Sequence, residues 1–126
     1  MPCTIDPVRE TVAWLSSRPE LDAPVSTTVP ADATPPYITV RRTGGQLDPL
    51  HDMPLMTVHC WERSDAEAMR MGRLTADMLR RMACEHPAIH RMDVLSLYTD
   101  RDPDTGLWYA ELNLQAGLAP TLPELY

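Results

Sequence analysis

Apolar and polar positions follow two different periods along this chain, and the change of period separates its elements. Strict alternation predicts four strands, over residues 37–42, 55–61, 93–99 and 107–116. Between the first and second pair, apolar residues recur at helical spacing over residues 64–84, which predicts an amphipathic helix. In the second strand we expect the Met-Val-Cys positions to form the buried face.

Start and stop signals add two shorter elements. An Asp-Pro pair before a helical apolar pattern predicts a first helix over residues 7–17, because the carboxylate can accept hydrogen bonds from free amides. Ser64 and Glu67 form a capping box that begins the long helix. Residues 25–29 lie between prolines, which cannot donate to a strand ladder, so they are predicted to form an edge strand.

The order of these elements predicts the fold class. Hairpin partners without parallel crossovers indicate an α+β sandwich, in which an antiparallel sheet of about four to five strands carries two helices on one face. Residues 1–117 are predicted to form this single domain. Residues 118–126 contain two prolines and are predicted to be an extended tail that docks on a neighbour. Open sheet edges invite pairing with another chain, so the pattern favours assembly over catalysis.

Composition narrows the function classes. The chain has 126 residues, of which 44% are hydrophobic, enough for one folded domain with a core. A net charge of −7 argues against a nucleic-acid-binding surface, although acidic walls would let DNA slide past without adhering. The absence of lysine excludes Schiff-base chemistry, and three widely spaced cysteines give no disulfide framework. Neither a secretion signal nor a membrane-spanning stretch is recognised.

A long loop is predicted over residues 43–53, which contain Gly44, Gly45 and His51. Structureless segments of this length inside a compact domain are usually functional or mobile. The Gly-Gly pair lacks the Gly-Lys-Ser/Thr ending of a phosphate-binding loop. The loop is therefore a candidate for contact with a partner, or for the cover of a ligand pocket.

Alternating carboxylates precede the last predicted strand and imitate a calcium-binding loop. Asp100, Asp102 and Asp104 alternate, and Glu111 follows in the next strand. The glycine that such a loop needs at its sixth position is replaced by Thr105. The segment is therefore predicted to be an acidic hairpin turn, whose carboxylates repel phosphate.

A stretch at the end of the long helix imitates a zinc site. Cys84, His86 and His90 offer thiolate and imidazole ligands, but no fourth ligand lies near in sequence. The alternative is a cysteine at the helix end with two surface histidines. The neighbours His59 and Cys60 face opposite sides of one strand and cannot act as base and nucleophile. No metal, cofactor or catalytic residue is therefore predicted, and we expect that the chain is not an enzyme.

The ordered set of motifs resembles the tail terminator proteins of long-tailed (siphovirus) phages, also described as minor tail or tail completion proteins. The set begins with a Val-Pro-x-x-x-Pro-Pro-Tyr-Ile-x-Val strand entry, an Arg-Thr-Gly-Gly segment and a Val-x-Cys-Trp strand end. A Ser-x-x-Glu-Ala helix start and a Pro-Asp-x-Gly hairpin complete it. The resemblance covers residues 5–116, and the proline-rich tail has no counterpart in it.

This resemblance implies a structural protein of the virion at the head–tail interface, assembled in the host cytoplasm. It implies a homohexameric ring that caps the head-proximal end of the tail tube, stops tube polymerisation and joins the tail to the head connector. The implied partners are further copies of the chain, the tail tube protein and the head completion protein. DNA would pass through the lumen without specific binding, and no membrane contact is implied.

Within such a ring, exposed segments are expected to make the subunit contacts and to line the lumen. The contact residues are predicted to be Arg41, Arg42, Thr43, Gly44, Gly45, Asp48, His51 and Tyr126. The lumen is predicted to be acidic and to be lined by Asp48, Asp52, Asp100, Asp102 and Asp104.

Three other functions remain open on the residues alone. A head completion protein would act on the connector side of the same joint. A small zinc-dependent enzyme would use Cys84, His86 and His90. A ligand-binding domain would place its pocket under the long loop.

Overall fold

A computed structural model describes residues 5–29, 31–32, 34–47 and 52–118 of the chain. Within these residues, the elements in chain order are α1 (Pro7–Ser16), β1 (Val25–Ser26), β2 (Tyr37–Leu47), β3 (Asp52–Glu62), α2 (Asp65–Glu85), β4 (Ile89–Arg101) and β5 (Trp108–Leu118). The strands form one sheet in the order β1-β2-β3-β5-β4. This is the α+β fold that the sequence predicts.

Both helices begin at the residues that the capping signals indicate. Asp6 Oδ1 accepts hydrogen bonds from the amides of Val8 at 3.0 Å and Arg9 at 3.4 Å. Ser64 Oγ accepts from the amide of Glu67 at 3.2 Å. These side chains satisfy backbone groups that have no partner in the first turn, and so fix where each helix starts. No helix in the described part of the chain is long and apolar enough to span a membrane.

The helices and the sheet share one core. Met56, Val58 and Cys60 of β3 are fully buried, which confirms the face predicted for this strand. Thr11 of α1 donates a hydrogen bond to the Met56 sulfur at 3.8 Å, and the Cys60 thiol donates to Thr75 of α2 at 3.4 Å. Both helices therefore pack on the same face of the sheet, as predicted.

The predicted hairpin of β4 and β5 is confirmed, and both strands are longer than the alternation indicated. Leu112 faces Leu97, and Arg101 faces Trp108 beside the turn. On the inward face of β5, four residues are fully buried: Ala110, Leu112, Leu114 and Ala116. β5 continues through Leu118, beyond the predicted strand end at residue 116.

The shortest strand departs from the predicted antiparallel pattern. β1 pairs in parallel with β2, placing Val25 opposite Ile38 and Ser26 opposite Thr39, so the sheet is mixed. Parallel neighbours cannot be joined by a tight hairpin turn, and ten residues, 27–36, separate the two strands in sequence. The edge position predicted for residues 25–29 is confirmed, although the strand ends at Ser26.

The loop predicted over residues 43–53 is wrong for much of its length, because residues 44–47 of β2 pair with residues 52–55 of β3. The register shifts between Arg42 and Gly44, which leaves Thr43 as the extra residue of a bulge. Gly45 has φ 101°, and a Cβ there would lie 2.3 Å from the Met53 carbonyl oxygen. The glycines therefore allow this strand to kink, whereas the sequence pattern predicts a loop at these positions.

Candidate assembly surface

The face of the sheet opposite the helices carries a continuous patch of aromatic and polar side chains, here called the open face. Alternation along β3 directs its outward residues to this side, since their neighbours occupy the core. The outward residues Thr57, His59 and Trp61 of β3 each face a residue of β5. The open face is defined by the three facing pairs Thr57–Asn113, His59–Glu111 and Trp61–Tyr109.

Trp61 is the centre of an aromatic cluster at one end of the open face. Its ring centroid lies 5.0 Å from that of Tyr109 and 5.8 Å from that of Tyr37, with which it stacks. His59 meets Trp61 edge-on at 5.7 Å, and Trp61 Nε1 donates a hydrogen bond to Thr39 Oγ1 at 3.4 Å. Each ring limits the movement of the next, so the cluster presents a fixed surface. Aromatic residues with polar tips are enriched at protein–protein interfaces.

Glu111 joins three strands through its carboxylate. His59 Nε2 lies 2.8 Å from Glu111 Oε1, and the Tyr98 hydroxyl of β4 donates to Oε2. Asn113 Nδ2 also donates to Oε2, at 3.1 Å. Every side chain in this group lies on the open face, so its hydrogen bonds tie β3, β4 and β5 together from the side away from the core.

Asn113 extends the network along the same face. Its Oδ1 accepts a hydrogen bond from Thr57 Oγ1 at 2.9 Å, and its Nδ2 donates to Ser96 Oγ at 3.0 Å. The amide group therefore connects β3 and β4 across β5, which lies between them. A side chain with both of its ends bonded has little rotational freedom, which adds to the rigidity of the surface.

The hydrogen bonds set the charge states of two groups on the open face. Partial burial opposes ionisation of Glu111, but the bonds from Tyr98, His59 and Asn113 prevail and lower its pKa below the ordinary value. The hydrogen bond between Tyr98 and Glu111, together with burial, raises the pKa of Tyr98 to about 12. At neutral pH the open face therefore holds one fixed negative charge beside a neutral phenol.

β4 forms an exposed edge of the sheet and carries two large side chains in solvent. Its register with β5 shifts between Val94 and Ser96, which leaves Leu95 as the extra residue of a bulge. Leu95 is 58% exposed and Tyr98 is 44% exposed. Sequence reasoning missed Leu95, because a bulge interrupts the alternation from which faces are assigned. An exposed leucine on an edge strand is a candidate contact for another chain.

The structure assigns different positions to the predicted contact residues that it describes. Arg41 faces Thr57 and is exposed at the border of the open face. Arg42 Nε donates a hydrogen bond to the Gly44 carbonyl at 3.0 Å, and Thr43 Oγ1 donates to the Leu55 carbonyl at 3.3 Å. Arg42 and Thr43 therefore fasten the bulge, whereas the Arg41 side chain is exposed, and its contact role stays a prediction. Gly44 and Gly45 belong to β2.

Several predicted residues cannot be placed. Asp48, His51 and Tyr126 lie outside the described residues. Asp52 is described as backbone only, as the first residue of β3, where it pairs with Leu118. The roles predicted for these four residues stay predictions.

The acidic segment before β5 is a hairpin turn that its own carboxylates hold together. Asp102 Oδ1 accepts from the Asp104 amide at 3.0 Å, and its Oδ2 accepts from Thr105 Oγ1 at 3.1 Å. Gly106 closes the turn with φ 73°. The side chains of Asp100 and Asp104 are exposed. Among the described residues, no group of three or more His, Cys, Asp or Glu side chains is arranged to bind a metal ion.

The three residues considered for zinc have separate surroundings. His86 Nε2 lies 2.9 Å from Glu10 Oε1, and its Nδ1 accepts a hydrogen bond from the Ala88 amide at 3.0 Å. His86 thus links α1 to the end of α2. Cys84 and His90 are exposed. The described residues do not bring these three side chains together as a metal site.

His59 and Cys60 face opposite sides of β3, as predicted. His59 belongs to the open face and Cys60 to the core. Burial raises the pKa of the Cys60 thiol to about 12, so the thiolate that nucleophilic chemistry needs is suppressed at neutral pH.

Comparison with known protein families agrees with the fold and the motifs. The family model described as Tail completion protein gp17 matches residues 10–119, most of the chain. The matched region contains the whole sheet, α2 and the open face. No curated protein matches this sequence.

Proposed function

We propose a function on the premise that this chain belongs to the phage tail completion protein gp17 family. The chain is accordingly a structural protein of the phage tail, located in the tail of the virion. Our proposal is that six copies close into a ring on the head-proximal end of the tail tube. The ring stops tube polymerisation and joins the tail to the head connector. It acts sterically, without catalysis or cofactor.

The open face is the observation that supports assembly through protein contacts. It is a rigid aromatic and hydrogen-bonded patch that the helices leave uncovered, since they pack on the opposite side of the sheet. A cyclic assembly needs two different patches that meet between neighbouring copies. The open face, bordered by Arg41, supplies one of them. The edge of β4 around Leu95 supplies the other.

The charge of the chain supports passage of DNA through the ring. A protein that binds DNA tightly neutralises phosphates with basic side chains, and this chain has a net charge of −7. Asp100 and Asp104 are exposed at the tip of the hairpin turn, and we propose that this tip lines the lumen. An acidic wall lets the polyanion move without adhering to it.

Electron microscopy of phage particles assembled without this protein tests the proposal. The expected result is abnormally long tails and heads without tails, both reversed by supplying the wild-type chain. Tails of normal length together with heads that leak DNA would contradict tail termination. That outcome would assign the protein to head completion, on the connector side of the joint.

Complementation with a Cys84→Ser/His90→Ala variant tests the zinc-enzyme alternative. Both side chains are exposed, so the variant should fold normally. If the protein acts only as a structural component, this variant should fully restore tail length and head attachment. Loss of function, together with zinc in the wild-type protein by elemental analysis, would contradict the non-catalytic proposal.

A further inference from the structure

A cavity of about 340 Å³ lies where the end of β3, the first turns of α2 and the α1–β1 connection meet. Four carboxyl groups line it: Glu20, Asp22, Glu62 and Glu67. The open face does not include this cavity, because Glu62 points toward the helix side of the sheet, opposite to its neighbour Trp61. The proposed ring contacts therefore leave the cavity unexplained.

Glu62 is the unusual member of this group because it is only 4% exposed. Buried carboxylates are normally paired with a cation. Among the described residues Glu62 forms no ion pair, and a second carboxyl group, that of Glu67, lines the same cavity. Burial and the charge of Glu67 both raise the pKa of Glu62. Both effects favour the neutral acid over a buried negative charge.

The nearby arginines do not return the pKa of Glu62 to its ordinary value. Arg63 and Arg70 also line the cavity and lower the pKa of Glu62 in part, but both are exposed and the net shift remains upward. Glu20 is already paired with Arg81, at 3.3 Å. The cavity thus retains the buried carboxyl group of Glu62, which forms no ion pair among the described residues.

The rest of the wall is apolar. Leu21, Pro36, Met71 and Leu74 complete the lining. A side chain that enters this cavity would meet aliphatic surface along its stem and carboxyl groups at its tip. That combination matches arginine, whose methylene groups pack on apolar surface and whose planar guanidinium bonds two carboxylate oxygens at once.

We propose that this cavity binds the guanidinium group of an arginine side chain on a partner polypeptide. The guanidinium would donate hydrogen bonds to the carboxylate groups of Glu62 and Glu67, and its positive charge would favour the ionised form of Glu62. The inference rests on the proposed function insofar as an assembling protein meets polypeptide partners. A further copy of this chain would have only arginine to offer as a basic residue apart from histidine, since the sequence contains no lysine.

Nuclear magnetic resonance titration of the full chain with N-acetyl-arginine amide tests the chemistry directly. We expect amide shifts confined to residues around the cavity, such as Leu21, Glu62 and Glu67, with an affinity in the millimolar range. N-acetyl-citrulline amide has nearly the same shape without the charge and should give no such shifts. N-acetyl-lysine amide should bind more weakly, because it lacks the planar fork.

Variants of the carboxyl pair complete the test. Glu62→Gln and the exposed Glu67→Gln should each weaken binding of the arginine amide by about tenfold, since each removes a charged acceptor. Asp77→Asn, on the exposed side of α2 and paired with Arg80, should leave binding unchanged. Equal shifts with citrulline, equal binding of lysine or unchanged affinity in both glutamate variants would overturn the inference. None of these outcomes depends on tail length, so the proposed function would stand or fall separately.

Discussion

Gly72 of α2 lies so close to Ala110 of β5 that a Cβ added at position 72 would stand 2.8 Å from the Ala110 Cβ. The same added atom would lie 2.9 Å from Leu97 Cδ1. The Leu97 side chain can rotate away. The Ala110 Cβ cannot, because it is attached to the backbone of β5, which is hydrogen-bonded to strands on both sides. The missing side chain at position 72 therefore sets how closely the long helix approaches the sheet.

Gly72→Ala is expected to destabilise the protein even though alanine favours helices. The helix propensity gain is about 1 kcal/mol, while overpacking a core contact costs about 1–3 kcal/mol. Urea denaturation measures the balance. Addition of Ala110→Gly to Gly72→Ala should recover part of the loss, because it removes the atom that clashes. If Gly72→Ala alone were more stable than the wild type, that result would contradict the close approach of α2 to β5.

Glu111→Gln is expected to lower the free energy of unfolding at neutral pH, by an amount that shrinks on acidification. Because the pKa of Glu111 is lowered in the folded state, the unfolded state binds the proton more readily. The stability from the charged carboxylate is therefore present above its ordinary pKa of 4.5 and is lost as the pH falls below that value. Urea titrations between about pH 3 and pH 7 measure the difference.

Tyr98→Phe supplies the matched control for that pH dependence. It removes one donor to Glu111 and should raise the carboxyl pKa toward its ordinary value, which a carbon-13 nuclear magnetic resonance titration reports. A stability difference between wild type and Glu111→Gln that does not change with pH would show that the network does not hold the carboxylate charged.

Glu62→Gln is expected to raise the free energy of unfolding at neutral pH when no partner is bound, the opposite of the effect expected for Glu111→Gln. Burial and the charge of Glu67 raise the pKa of Glu62 in the folded state, so folding favours its protonated form. The wild type then loses stability as the pH rises from the ordinary pKa of 4.5 through the raised value. Glutamine imitates the protonated acid and should make the variant more stable than the wild type at neutral pH, with a gain that disappears below about pH 4. A variant that is less stable at neutral pH would contradict the unpaired state of this carboxyl.

Leu95→Asp is expected to impair assembly while leaving the fold intact. Leu95 is 58% exposed, so the free energy of unfolding should change by no more than about 0.5 kcal/mol. The charge would lie in the proposed contact at the β4 edge, where it would be desolvated without a partner. Tail length and head attachment in complemented phage are the measurements.

Val29→Asp is the matched control for this prediction. Val29 is 53% exposed and lies outside both proposed contact patches. It should restore normal tails, whereas Leu95→Asp should not. Equal restoration by the two variants would exclude the β4 bulge from the assembly contacts.

The sequence predicted well those features that depend on neighbours along the chain. The caps at Asp6 and Ser64, the buried face of β3 and the hairpin before β5 each follow from spacing within a few residues. The fold class followed from the order of these elements. Gly44 and Gly45 were misinterpreted, because glycine supports a loop and a strand kink equally well, and only the pairing with β3 separates the two.

The candidate sites depended on register across strands, which local patterns do not specify. The sequence alone determined that Glu111 shares a face of β5 with Tyr109 and Asn113, since side chains alternate with a fixed period. Only the tertiary structure decided that His59 and Tyr98 would meet that carboxylate, because a shift of one residue in either strand would turn them to the other face. The tertiary structure also decided that Glu62, at the end of β3, and Glu67, in the first turn of α2, line one cavity. Burial and pairing of charges are properties of the packed sheet and helices, whereas the period of the pattern is a property of the chain.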